Sequence, residues 1–85
     1  MEYKITIKAS ARKELEKIPK AIRVHLIDAI NDLAADPRPS GCKKLLNFDN
    51  SFRIRQGDYR IIYRVSDNEL TITIIKVGNR KDVYK

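Results

Sequence analysis

One cysteine, one histidine, three glycines and no tryptophan are spread over 85 residues, and each scarcity excludes something. Cys42 has no partner for an internal disulfide, which suits a reducing compartment. It reads as a small, partly buried hydrophobe. His25 stands alone inside a stretch of helical periodicity, so a nuclease built on a histidine pair is excluded, and His25 reads as a helix-surface residue. No Cys/His cluster has metal-ligand spacing. The glycines form neither a Walker loop nor a Rossmann fingerprint, so no cofactor is expected. No apolar run approaches a membrane span, and the opening Met-Glu-Tyr-Lys carries no signal segment. The expectation is a cytoplasmic protein. Acid is also in short supply. Eighteen Lys/Arg face eleven Asp/Glu, for a net charge of +7, a balance that favours an acidic partner such as RNA, DNA, an anionic membrane surface or an acidic protein.

What is present is a chain long enough for one small core and no more, so residues 1–85 are expected to form a single domain. Tyr3–Lys8 alternates and predicts a strand. Ser10 is placed to cap a short helix running to about Ile18, with Leu15 and Ile18 inward. Pro19 suits the first turn of a second helix reaching about Ala35. Ile22, Leu26, Ala29, Ile30 and Leu33 form its apolar stripe. Asp36–Gly41 is a breaker-rich loop, and Lys43 and Lys44 read as plain surface charge. Leu70–Val77 predicts the last long strand, after a two-residue turn at Asp67-Asn68 that would set Tyr63 opposite Ile72 and Arg60 opposite Ile75. The coarse order is β-α-α-β-β-β: an α+β fold with two helices on one face of a twisted antiparallel sheet.

The segment Phe52–Arg64 carries the chemistry. Two alternating runs flank Gly57-Asp58, so it predicts a β-hairpin in which Gln56 faces Tyr59, Arg55 faces Arg60, and Arg53 faces Ile62. Arg53, Arg55, Arg60 and Arg64 then share one face. Phe52, Ile54, Ile61 and Tyr63 share the other, with Tyr59 also on the oily side. Like charges opposed across a ladder destabilise a sheet. The crowding of Arg53, Arg55 and Arg60 therefore asks for a counter-charge, supplied structurally by Asp58 or Asp82 or functionally by a phosphate. Arg64 reads as a solvated strand charge. Residues 51–85 hold eight Lys/Arg against four Asp/Glu, whereas residues 1–50 hold ten against seven. The second part is also the arginine-rich one, and arginine forks match phosphate oxygens bidentately.

The elements Phe52-Arg53-Ile54-Arg55, Gly57-Asp58-Tyr59-Arg60-Ile61-Ile62-Tyr63, Val77-Gly78-Asn79-Arg80 and Tyr84 resemble the RelE/ParE superfamily of type II toxins, and the resemblance covers essentially the whole chain. The RelE branch implies a RelE-like microbial ribonuclease fold and a metal-independent endoribonuclease that cuts mRNA in the ribosomal A site by 2′-hydroxyl attack, inhibited by a cognate antitoxin. By position, the resemblance assigns Arg53 and Arg55 to proton acceptance and phosphate binding. It assigns Arg60 to the transition-state phosphate, Arg80 to the leaving oxygen and Tyr84 to base stacking. Best-known members carry lysine where Arg53 and Arg55 stand, and arginine is the poorer proton acceptor. The competing expectations are a ParE-like inhibitor of DNA gyrase and a non-catalytic basic RNA-binding module.

Overall fold

A computed structural model describes residues 2–46 and 48–79. The elements in chain order are β1 (Lys4–Ile7), α1 (Ala9–Glu16), α2 (Lys20–Asp32), β2 (Lys43–Lys44), β3 (Ser51–Gln56), β4 (Tyr59–Ser66) and β5 (Thr71–Asn79). The sheet order is β1-β5-β4-β3-β2. The α+β class stands, with two details changed. The sheet is mixed, because β1 pairs parallel with β5. The two helices carry the chain across one face to the far edge, and the meander β2-β3-β4-β5 returns it, so its last strand arrives alongside β1. The extra strand β2 is two residues long, too short for any alternation to announce it.

The helices start and stop where the sheet lets them. Ser10 is not a cap: α1 begins at Ala9 with Lys8 in the cap position and no side-chain cap bond. Lys8 still donates its N–H to the Ile74 carbonyl at 3.0 Å, so sheet pairing continues to the last residue before the helix. Pro19 sits at the cap position of α2, one residue before the first turn that its sequence context predicts, and its carbonyl accepts the N–H groups of Ile22 and Arg23. Past Asp32, bonds of the i to i−3 kind tighten the chain through Ala35, which is why the regular helix ends three residues early. Leu26, Ile30 and Leu33 are buried, and Ala29 packs against them. Ile22 is 39% exposed, because it lies beside the β3–β4 turn, in a shallow groove with His25 and Asp58. Exposed His25 has the surface role its sequence context predicts.

The helical residues close over Phe52, Ile54, Ile61, Tyr63, Val65, Ile72, Ile74 and Val77, forming one core. Half-buried Cys42 packs against it. Val77 departs from the predicted pairing, in which Ile75 lies opposite Arg60 and Val77, two residues on, shares that outer face. The β4–β5 connection spans Asp67–Leu70 rather than a two-residue turn, so Tyr63 meets Ile74 instead of Ile72. That two-residue slip preserves the alternation, and Ile72 and Ile74 stay inward. A bulge at Ile62/Tyr63 then leaves Ile75 without a cross-strand partner. Parity flips, and Val77 turns into the core at 1% exposure. For the same reason Arg60 faces Gly78, not Ile75, and Gly78 and Asn79 stay in the strand.

The longer connection coincides with anchoring of its first residue, Asp67, which opens the four-residue turn and is held there by two distant side chains. Tyr3 donates its hydroxyl to Asp67 at 2.6 Å, and Arg38 donates to the same carboxylate at 2.9 Å. Arg38 also lies 5.2 Å above the Phe52 ring, which stacks on Tyr63 at 5.9 Å. Tyr63, fully buried, donates to the Pro37 carbonyl at 2.7 Å. These bonds join the first strand, the 36–42 loop and the β4–β5 connection at one end of the sheet. The bonds from Tyr3 and then Arg38 hold the Asp67 carboxyl below its usual range, and the Asp67 contact raises Tyr3. Burial, then Cys42, raises Tyr63.

Tyr63→Phe is expected to strand the Pro37 carbonyl and lower the unfolding free energy by about 1–2 kcal/mol in urea, with the m-value unchanged. Depressed in the folded state, the Asp67 carboxyl contributes stability above its unfolded value near 4, which is lost as pH falls through the folded one. Asp67→Asn should therefore lower Tm at pH 7, with the gap to wild type narrowing as pH falls below about 4; a gap that stays constant into acid would contradict this assignment.

Candidate functional site

The β3–β4 hairpin keeps the register its sequence predicts: Gln56 opposite Tyr59, Arg55 opposite Arg60, Ile54 opposite Ile61, Arg53 opposite Ile62 and Phe52 opposite Tyr63. Gly57 opens the turn at φ 62. A Cβ there would meet nothing within 4 Å, so the turn needs glycine for its backbone conformation and not for space. Because opposed residues in an antiparallel pair share a face, Arg53, Arg55, Arg60 and Arg64 project from the side away from the helices. Phe52, Ile54, Ile61 and Tyr63 are buried on the other side. Tyr59 is half-buried against the core, as the alternation predicts.

The face consists of cross-strand rows. One row runs Arg55, Arg60, Gly78, and the next runs Lys43, Arg53, Ile62, Lys76. Arg55 is exposed, while Arg53 and Arg60 are half-buried. The Arg60 Nε is shielded from solvent, and its neighbour on β5 is a glycine, so no side chain from that strand competes for the space above it. Arg64 is exposed at the far end, opposite Ser51, which fits its reading as a solvated charge. Sequence reasoning missed Lys43 and Lys76 as members of this face. Lys43 reaches Arg53 through a two-residue strand with no readable pattern, and Lys76 joins the outer row only because the bulge reverses the alternation. The Lys76 ammonium lies 3.3 Å from Glu14 of α1, whose other carboxylate oxygen accepts the Val77 N–H at 3.1 Å.

Arg80 and Tyr84 lie outside the described residues. Arg80 follows Asn79, which pairs with Tyr59 at the turn end of the hairpin. Among the described residues, no three His, Cys, Asp or Glu side chains are grouped to hold a metal ion. No described helix is long and apolar enough to cross a membrane. A groove of about 590 Å³ at the sheet edge carries Asp32 and Asp36 beside Lys43 and Arg55. Its carboxylates repel a polyanion, so the arginine-bearing sheet surface is the better anion reader despite its openness. Guanidinium groups in adjoining rows can grip one phosphate from several directions, and their charge is in place before any charge develops on it.

The family model described as "ParE toxin of type II toxin-antitoxin system, parDE" matches residues 5–84. The chain belongs to the RelE/ParE superfamily of type II toxins. Within the superfamily, it is 31% identical over 86 residues to Toxin RelG of Mycobacterium tuberculosis, covering 100% of this chain and 99% of the relative. It is 28% identical over 88 residues to the mRNA interferase toxin RelE of Escherichia coli K12, covering 99% and 92%. Among solved structures, the archaeal RelE-RelB complex from Pyrococcus horikoshii aligns with a TM-score of 0.84 at 30% identity, over 98% of this chain and 100% of that one. This is thus a RelE-like toxin whose arginine face the hairpin register assembles.

Arg55→Gln removes one of two like charges held opposite each other. It should raise Tm at low ionic strength, with the gain shrinking as salt approaches 1 M, where the Debye length is about 3 Å. A gain that ignores salt would mean that the two guanidiniums are not in electrostatic conflict.

Proposed function

We propose that this toxin, acting as one domain, is a ribosome-dependent, metal-independent mRNA endonuclease that cleaves codons in the A site and so halts translation. The observation that carries the reading is the pairing of Arg55 with Arg60 on the open sheet face, with Arg53 in the adjoining row. Support also comes from relatives named mRNA interferase. Its partners are the ribosome, mRNA and a cognate antitoxin, the last supported by solved RelE-RelB complexes of the same fold. Its place of action is the cytoplasm.

The chemistry requires only the RNA's own 2′-hydroxyl. Its oxygen attacks the adjacent phosphorus, the bond to the 5′-oxygen of the next nucleotide breaks, and a 2′,3′-cyclic phosphate remains. The proton lost by the 2′-hydroxyl leaves to solvent while the guanidiniums of Arg53 and Arg55, which keep their own protons, stabilise the oxygen it leaves, and the departing 5′-oxygen gains a proton from solvent near Arg80. Arg60 holds the equatorial oxygens of the pentavalent phosphate, where charge accumulates. Tyr84 stacks on a base and fixes the in-line approach. Arginine is a weak proton acceptor at neutral pH, so in this chain alignment and charge stabilisation contribute most of the rate.

Arg60→Ala is expected to reduce cleavage of mRNA on translating ribosomes by about 10²–10³-fold, with Arg80→Ala also impaired, in an assay mapping new mRNA 5′ ends. The name of the matching family model keeps one rival in view. If wild-type toxin leaves ribosome-bound mRNA intact and blocks gyrase supercoiling, the ParE-like function replaces this one. Tight RNA binding with neither effect would mark a non-catalytic RNA-binding module.

A further inference from the structure

The rows of the arginine face meet at an apolar spot. Ile62 has Arg53 opposite it on β3 and Lys76 opposite it on β5, with Arg60 and Arg64 two positions away on its own strand. A half-buried isoleucine is thus ringed by basic side chains. Beside it lies Ile75, the bulge residue without a cross-strand partner. The segment between β2 and β3 brings Leu45 and Phe48 to the same place. These four apolar residues line a groove of about 300 Å³ together with Ser51, Arg64 and Lys76.

Phe48 is 63% exposed, so core packing does not account for it. Among the described residues, no carboxylate lines the groove. Lys76 is shared with Glu14, which leaves exposed Arg64 as the principal charge at the rim. An exposed aromatic beside a track of cations is the arrangement by which proteins hold single-stranded nucleic acid, because every base offers a π-face to stack on and every linkage a phosphate.

We propose that this groove is a second nucleotide subsite: a base of single-stranded RNA stacks on Phe48 above the Ile62–Ile75 floor, and Arg64 binds an adjoining phosphate. The proposal rests on the ribonuclease reading and extends it. Arg60 and Arg64 are separated by four residues along β4, about 13 Å at strand rise, so the RNA would be gripped at two points on one face. An acidic, apolar segment of the antitoxin is the rival occupant. The continuity of Arg64 with the arginine rows favours the nucleotide, since the same polyanion then serves the whole face.

The test uses the purified toxin and short single-stranded RNA carrying 4-thiouridine, with crosslinked peptides mapped and affinity followed by fluorescence anisotropy. Crosslinks are expected in the peptide that contains Phe48. Phe48→Ala should weaken RNA binding by about five- to a hundred-fold, the loss of one stacked base, while Phe48→Tyr retains it. Unchanged RNA affinity in Phe48→Ala overturns the subsite, and if that variant still cuts ribosome-bound mRNA the ribonuclease reading survives. Unchanged RNA affinity together with weakened antitoxin binding gives the groove to the antitoxin. Wild-type toxin that neither binds RNA nor cuts message would remove both readings at once.

Discussion

The pairing of β3 with β4 is the constraint on which the rest of this molecule depends. Below the hairpin, Phe52, Ile54, Ile61 and Tyr63 are removed from water. Each such burial is worth about 1.5–3 kcal/mol relative to exposure. Above it, Arg55 is held opposite Arg60, a like-charge pairing that costs on the order of 0.2–1 kcal/mol. Burial wins by a wide margin, so the apolar face dictates the register and the guanidinium groups must accept the crowding that follows. A slip of one residue would send every apolar side chain to solvent. The arginine cluster is therefore a by-product of core packing, and the backbone register that assembles it is fixed by the core beneath it.

The two ends of the sheet divide the work. At the β4–β5 end, Tyr3, Arg38 and Asp67 make the hydrogen bonds that tie three chain segments together, and Arg38 covers the Phe52 ring. At the opposite end, the β3–β4 turn leaves Arg55 exposed and Arg60 half-buried beside Gly78. Cations at the first end are matched with an acid and serve stability. At the second end, like charges are brought together and can be relieved by a bound polyanion. Between the ends, one bulge decides which β5 residues look outward: it sends Val77 into the core and Lys76 to the outer row. Membership of the RelE/ParE superfamily gives this division a biological setting, because a type II toxin must keep its fold assembled while its surface stays open to a cognate antitoxin.

Much of this was legible in the residue order, because short-range rules govern it. The alternation around Gly57 predicts the hairpin pairing residue by residue, since the side-chain period of a strand is two and the turn leaves one register. The helical stripe of Leu26, Ile30 and Leu33, the place of Pro19 beside the start of α2 and the exposure of His25 follow from the same local logic. The family motifs pointed to the superfamily that the comparisons show. Other features have no local signature. The parallel β1–β5 contact joins segments at opposite ends of the chain, and nothing within Lys4–Ile7 states which strand it will meet. The β4–β5 connection is longer than a two-residue turn, its first residue Asp67 binds Tyr3 and Arg38, residues 64 and 29 positions away, and the turn propensity of Asp-Asn could not anticipate those partners. Lys43 and Lys76 joined the arginine face through a two-residue strand and a bulge. Periodicity within one segment thus carries the hairpin and its charged surface, whereas strand neighbours, loop length and parity past the bulge emerge only when distant segments compete for the same hydrogen bonds and the same core volume.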